Sequence, residues 1–301
     1  MRITQNMVAT QVLRNIAGSL ARLGRAQEQL ASAKRINRAS DDPLGAGVVL
    51  RLQAFRERLE SYQRATDAAR ESLEGAATPL GRITEILQQA REVAVLGSSD
   101  TMSGVRGPLA EQVDALLEEL VAGSNTRFRD RYVFGGTHTD IAPYTATRDA
   151  GGRIVAVTAN PLGVDGLVQA EVGPGCLVPT NLPASQAFAR TVNLFDSVIA
   201  LREALASEDT AGIVSTLRRL DDGITQVSSA SGVVGVALRR LDAVRTSNRE
   251  DLTRIEGLRS EVQDADIAQV YVELQKLQNA FDASLAAGAK AMQTSLVDYL
   301  R

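Results

Sequence analysis

Catalysis needs side chains that can converge, and this sequence offers few. His138, in FGGTHTD, is the single histidine. No histidine-rich metal site can form, and a Ser-His-Asp triad would have to be built entirely around that residue. Its polar surroundings read as an ordinary loop. Cys176, in GPGCLVP, is the single cysteine, which rules out an intramolecular disulfide and any CxxC metal or redox pair. It reads as a structural thiol rather than a nucleophile. The acid pairs Asp41-Asp42, Glu118-Glu119 and Asp221-Asp222 lie in or beside helical segments. Caps and solvated helix faces account for them better than a general acid and base. Neither GxGxxG nor GxxxxGK followed by Ser or Thr occurs, so the glycines do not form a phosphate cradle. No cofactor and no metal is expected, and the chain reads as non-enzymatic.

What the 301 residues specify instead is helix. Hydrophobic residues make up 44% and charged ones 23%, there is no Trp, and aromatics are only 4%, a composition that favours long helices in a soluble protein. The first segment carries Leu13, Ile16, Leu20, Leu23 and Leu30 at heptad-like steps. Apolar spacing of four and three then runs from Val48 through Leu52, Phe55, Leu59, Leu73, Leu80, Ile83 and Leu87 to Ala94. A helix over 43–94 would be about 75 to 80 Å long, and Pro79 inside it predicts a kink. A shorter helix is expected from Pro108, with Leu109, Val113, Leu116 and Leu120 on one face. Residues 131–183 hold eight of the 24 glycines and five of the eight prolines. There RIVAVTA (153–159) and GLVQAEV (166–172) read as two strands of one small sheet. Helical spacing resumes near Ser185 and continues from Ile213 to Val262, weakest at Arg245 and Asn248, which occupy seam positions. A last helix carries Ile267, Val270, Leu274, Leu277, Phe281, Leu285, Met292, Leu296 and Tyr299. The fold class is mainly α with a small β insert, its N- and C-terminal helices paired antiparallel.

Charge gives a second, weaker hint of that pairing. Residues 1–40 carry seven basic residues against Glu28, and 261–301 carry six acids against three bases. This reads either as attraction between the ends or as independently solvated faces. A net charge of −3 argues against general nucleic-acid binding. The N-terminus lacks the apolar stretch of a cleaved secretory signal. No apolar run approaches the roughly 18 residues of a membrane span, so ordinary rules alone give a cytosolic reading. The terminal segments, 1–36 and 267–301, form at most a two-helix hairpin with little core. That arrangement favours an assembly interface over a private core.

The segment KRINRASDDPLGAG (34–47) breaks two helical stretches. Asp42 suits an N-cap, Asp41 adds negative charge at the positive end of the new helix, and Pro43 suits its first position. Gly45 and Gly47 permit close backbone approach. RINRASDDPLGAG resembles the segment after the first helix of bacterial flagellins and their hook-associated relatives. The likeness continues to SNTRFRDRYVFGGT and resumes in SEVQDADIAQVYVELQKLQNAFDASLAAGAKAMQTSLVDYL, covering roughly the first 140 and last 110 residues. RYVFGGTHTDIAPY (131–144) and SLVDYL (295–300) are more similar to the hook-associated branch at the hook-filament junction than to filament subunits.

The resemblance implies an extracellular structural component of the flagellum, exported unfolded through the flagellar type III apparatus without a cleaved signal. Its partners would be copies of itself in an axial ring, a neighbouring hook-associated protein, filament flagellin and a cytoplasmic export chaperone. No nucleic acid, membrane or small-molecule substrate is implied. Terminal arms (1–36 and 267–301) would form the inner axial layer, a helical bundle (37–130 and 184–266) would surround it, and residues 131–183 would form a β-rich outer domain. Assembly contacts are expected at Leu20, Leu23, Leu30, Leu274, Leu277, Phe281, Leu285 and Leu296. The joint between layers is expected at Asp41, Asp42, Pro43, Gly45 and Gly47, with Asp264 and Asp266 on the return path. A filament-forming flagellin is the alternative within the family. A cytoplasmic coiled-coil scaffold and a hydrolase centred on His138 are rivals from other classes.

Overall fold

A computed structural model describes residues 5–99, 104–162 and 164–299; side chains at 5–6, 8–9 and 291–299 lie outside the description. Among the described residues, seven helices and six short strands follow in the order α1 (Gln5–Ser32), α2 (Pro43–Gly97), α3 (Arg106–Ser124), β1 (Arg127–Phe128), β2 (Arg131–Tyr132), β3 (Tyr144–Arg148), β4 (Ile154–Ala159), β5 (Gln169–Gly173), β6 (Cys176–Pro179), α4 (Ala184–Phe188), α5 (Leu194–Ala206), α6 (Thr210–Gln263) and α7 (Ile267–Tyr299). The chain divides into two compact units, residues 1–58 with 251–301 and residues 59–250, and α2 and α6 contribute to both.

In the larger unit the four-and-three spacing of α2 becomes a buried stripe. Leu59, Thr66, Ala69, Leu73, Ala76, Leu80, Ile83, Leu87, Ala90 and Ala94 are all buried, each large one contributing roughly 1.5–3 kcal/mol on leaving water. Val113, Leu117 and Leu120 of α3, Val198, Leu201 and Leu205 of α5, and Leu220, Val227, Val234 and Leu241 of α6 complete the same core. Helix α2 continues without a break through Pro79. The two polar seam positions of α6 differ in how they are met. Asn248 is buried and donates to the Val172 carbonyl (3.2 Å), and Arg245 lies 3.1 Å from Asp67.

The strands form three separate antiparallel hairpins. The segments 153–159 and 166–172 supply strands, but they do not pair with each other. β4 pairs with Tyr144–Arg148, and β5 pairs with Cys176–Pro179. Local turns decide this, because closing a short loop costs less chain entropy than closing a longer one. Asp149 Oδ1 accepts from Gly151 N and Arg153 N, with Gly152 at φ +84°, and Gly175 at φ +67° turns β5 into β6. The hairpins are not a free-standing domain. Phe134, Tyr144, Ile154, Val157, Val172 and Val178 belong to the helical core. Four of the eleven aromatics, Phe134, Tyr144, Phe188 and Phe195, form one cluster with centroids 4.8 to 5.7 Å apart.

Candidate functional site

The smaller unit holds the terminal helices and the connections that carry them. α1 and α7 pair antiparallel. At one end Ala265 N donates to the Ala33 carbonyl (3.0 Å) beside a Lys34–Asp264 bridge; at the other, a Cβ built on Gly288 would stand 2.9 Å from Val12 Cγ1. The buried or half-buried row of α1 is Val12, Ile16, Ser19, Leu23, Ala26 and Leu30. That of α7 is Val270, Leu274, Leu277, Phe281, Ser284 and Gly288. Both rows alternate steps of four and three, the spacing of a helix pair sharing one seam.

Of the expected assembly contacts, Leu23, Leu30, Leu274, Leu277 and Phe281 therefore face the hairpin's own seam. Leu20 (55% exposed) and Leu285 (44%) point outward, as do Leu13 (60%), Ile267 (43%), Tyr271 (53%) and Val272 (52%). The side chain of Leu296 lies outside the described residues. Leu13 and Leu20, members of the expected seam, belong to a row adjacent to the true one. The true seam runs through the small residues Ser19 and Ala26, which a search for leucines passes over. Gly288, where an added Cβ would crowd Val12, leaves no signal for the same reason.

The joint is built on hydrogen bonds. α1 ends where Ala33 takes a left-handed φ of +57°. The next residues turn onto the end of α6: Arg35 N and Ile36 N donate to the Gln263 carbonyl (2.7 and 3.3 Å), and Arg35 Nη2 donates to the Val262 carbonyl (2.8 Å). The last carbonyls of α6, which have no partner within their helix, are thus capped by residues more than 220 positions away in sequence. Ile36 is buried. Asp42 caps α2, with Oδ1 accepting from Gly45 N (2.9 Å) while Oδ2 meets Arg35 Nη1 (3.2 Å). The Gly45 N–H, helped by the Arg35 guanidinium, holds the Asp42 carboxyl below its ordinary range. Pro43 is the first residue of α2, where no N–H is needed.

Two expectations change here. Asp41 does not serve the helix end: its Oδ2 accepts from Asn37 N (3.2 Å) and Arg38 N (2.8 Å) and so closes the loop. Gly45 is tightly enclosed, whereas Gly47 faces open space and makes no close approach. Asp264 accepts from Ser260 Oγ (2.6 Å) at the end of α6. Asp266 N-caps α7, accepting from Ala268 N (2.9 Å) and Gln269 N (3.2 Å). Arg35, the hub of this network, opens the motif RINRASDDPLGAG, but its spacing gives no sign of the carbonyls it meets on α6.

The residues weighed for chemistry lie elsewhere and apart. His138 is exposed, its N–H bonded to the Gly135 carbonyl in a turn. Cys176 lies 3.4 Å from an Arg240 guanidinium nitrogen. Glu118 is held by both terminal nitrogens of Arg148, which lowers its carboxyl below the ordinary range, and Asp221 meets Arg91 at 2.5 Å. Among the described residues, no group of three His, Cys, Asp or Glu is placed to hold a metal ion, and no helix is long and apolar enough to cross a membrane.

Comparison with known proteins covers both ends of the chain. The family model for the bacterial flagellin N-terminal helical region matches residues 3–139, and that for the C-terminal helical region matches 217–300. A flagellin of Bacillus subtilis is 27% identical over 305 residues, 97% of each chain. A flagellar hook-associated protein 3 of Escherichia coli is 30% identical over 147 residues, spanning 48% of this chain and just under half (46%) of that protein. Among solved structures, a putative flagellar hook-associated protein from Vibrio parahaemolyticus superimposes with a TM-score of 0.65 at 19% identity, over 74% of this chain and all of that one. The flagellar junction protein of Legionella pneumophila gives 0.59 at 14% identity, over 72% and 99%. At these identities the structural likeness concerns the fold.

Proposed function

This chain belongs to the bacterial flagellin family, and on that premise we propose that it is the adaptor joining the last hook-associated protein to the flagellin filament. The family is one of flagellar structural proteins, and the work assigned to the chain is assembly rather than turnover.

One observation carries the reading. The terminal hairpin satisfies one apolar row internally and still exposes a second, at Leu13, Leu20, Tyr271, Val272 and Leu285. Exposed apolar side chains concentrated on one hairpin favour an interaction surface. Neighbouring subunits would cover it, with 1–36 and 267–301 forming the inner layer, the bundle 37–130 and 184–266 around it, and 131–183 outermost. Ordering of the arms is coupled to that contact. The proposed neighbours are further copies of the chain, a hook-associated protein on one side and filament flagellin on the other. Export through the flagellar type III apparatus, without a cleaved signal and with a cytoplasmic chaperone, completes the reading.

A filament subunit is the second reading, favoured by the match to the Bacillus flagellin across 97% of both chains. Deleting the gene separates the two. Hooks without filaments, with monomeric flagellin in the medium, support the adaptor. Loss of the filament protein itself supports the second reading, and intact filaments reject both.

A further inference from the structure

The seam of the terminal hairpin leaves its own register underdetermined. Because both rows repeat every seven residues, sliding one helix by a heptad, about 10.5 Å, sets buried rows against each other again. Helix pairs of this kind take their register from polar or steric exceptions to the repeat. One exception is Gly288 beneath Val12. The other is the joint, and within it Arg35 is the residue that touches most helix ends. Its side chain reaches the Val262 carbonyl in the last turn of α6 and Asp42 at the start of α2. Its N–H meets the Gln263 carbonyl, and its own carbonyl accepts from Gln29 Nε2 in α1 (3.0 Å). A guanidinium at a helix C-terminus satisfies orphan carbonyls and complements the negative end of the dipole. Only Asp264, Ala265 and Asp266 separate α6 from α7, so fixing α1 to the end of α6 fixes where α7 begins against α1.

We infer that Arg35 sets the register of the terminal hairpin, selecting one pairing of α1 with α7 from those related by a heptad. It thereby decides which side chains the hairpin presents to a neighbouring copy. Arg35 acts as a positioning residue, and the consequence for assembly rests on the reading proposed above.

The test uses the full chain carrying Cys176→Ser, so that introduced thiols are the sole ones. Val12→Cys with Gly288→Cys reports the native register, since a Cβ added at Gly288 would stand 2.9 Å from Val12 Cγ1. Ser19→Cys with Gly288→Cys reports a heptad slip: in the native register position 19 lies about 10.5 Å along α1 from position 12, beyond disulfide reach. With Arg35 present, the first pair crosslinks and the second does not. In Arg35→Gln the first crosslink falls by about tenfold, the scale expected for losing charge-assisted hydrogen bonds, and the second appears. Arg35→Lys, with one point charge in place of a fork, lies between, and it serves as the test variant if Arg35→Gln is not exported. Unchanged crosslinking in the variants overturns the inference. So does loss of the first crosslink without gain of the second, which would mean that the hairpin opens rather than slips. Filament attachment is scored in parallel. A slipped register with normal attachment upholds the inference and rejects the assembly reading, whereas an unchanged register with lost attachment does the reverse.

Discussion

Gly45 is pressed against Asp42: its N–H donates to Asp42 Oδ1 at 2.9 Å, and a Cβ built on it would lie 2.5 Å from Asp42 Oδ2 and 2.6 Å from Ile36 Cδ1. The cap that starts α2 and the apolar plug that closes the joint therefore meet at a position where no side chain fits. Gly47, two residues on, has nothing within 4 Å. Gly45→Ala should destabilise the protein by about 1–3 kcal/mol through forced displacement of Ile36 or the cap, while Gly47→Ala should stabilise it by up to about 1 kcal/mol through helix propensity. Urea unfolding of the two variants measures both. Equal effects at the two positions would reject this account of the joint.

The same cap should make the joint sensitive to acid. Asp42 is held below its ordinary value of 3.8, first by the Gly45 N–H and then by Arg35. A depressed folded-state value means that its contribution is fully present above about pH 4 and is lost as pH falls through the lowered value. Amide exchange at Gly45 should be steady from pH 7 to about 4, after correction for the intrinsic rate, and lose protection below that. Asp42→Asn keeps a capping oxygen and removes the titration, so its corrected profile should be flat; an acid-sensitive profile in that variant would place the effect elsewhere.

The two apolar rows of the hairpin should respond differently to charge. Leu20→Asp with Leu285→Asp alters exposed positions and should leave the unfolding free energy within about 0.5 kcal/mol of the parent. It should still stop assembly, with filament subunits shed into the medium. Leu274→Asp places a carboxylate in the buried seam and should open the hairpin, lowering helical ellipticity as well. Normal motility in the Leu20, Leu285 double variant would remove the outward row from the assembly surface.

How much of this was legible in the sequence follows from what each feature rests on. The stripe from Leu59 to Ala94 was legible because a helix that buries one face must repeat that face. The Asp42 cap and Pro43 were legible because capping is local chemistry. The strand partners were not, since 153–159 and 166–172 alternate alike and only the turns at Gly152 and Gly175 decide which neighbour each takes. On α1 the leucine pattern led to Leu13 and Leu20 because hydrophobicity draws the eye to large residues, whereas close helix packing selects small ones such as Ser19, Ala26 and Gly288. The reach of Arg35 to α6 was illegible for a different reason: its partners there, Val262 and Gln263, offer backbone carbonyls, and a backbone acceptor leaves no mark in a sequence.

The pair of buried Arg202 and half-buried Asp114 gives a last test, in the larger unit. Arg202 donates to Asp114 Oδ1 (2.6 Å) and to the Ile154 carbonyl (2.7 Å), so one guanidinium ties α5 to α3 and to β4. Its side chain is 10% exposed and that of Asp114 27%. Removing one partner of such a pair strands the other charge, a larger loss than the pair itself is worth. Asp114→Ala should cost about 3 kcal/mol or more, because Arg202 would keep only a carbonyl acceptor. Arg202→Met with Asp114→Leu should recover much of that loss, since no buried charge is left unpaired. The residual deficit belongs to the Ile154 carbonyl, which loses its donor. If the double variant is as unstable as Asp114→Ala alone, the stranded charge is not the source of the loss, and the tie between α5 and β4 carries the energy instead.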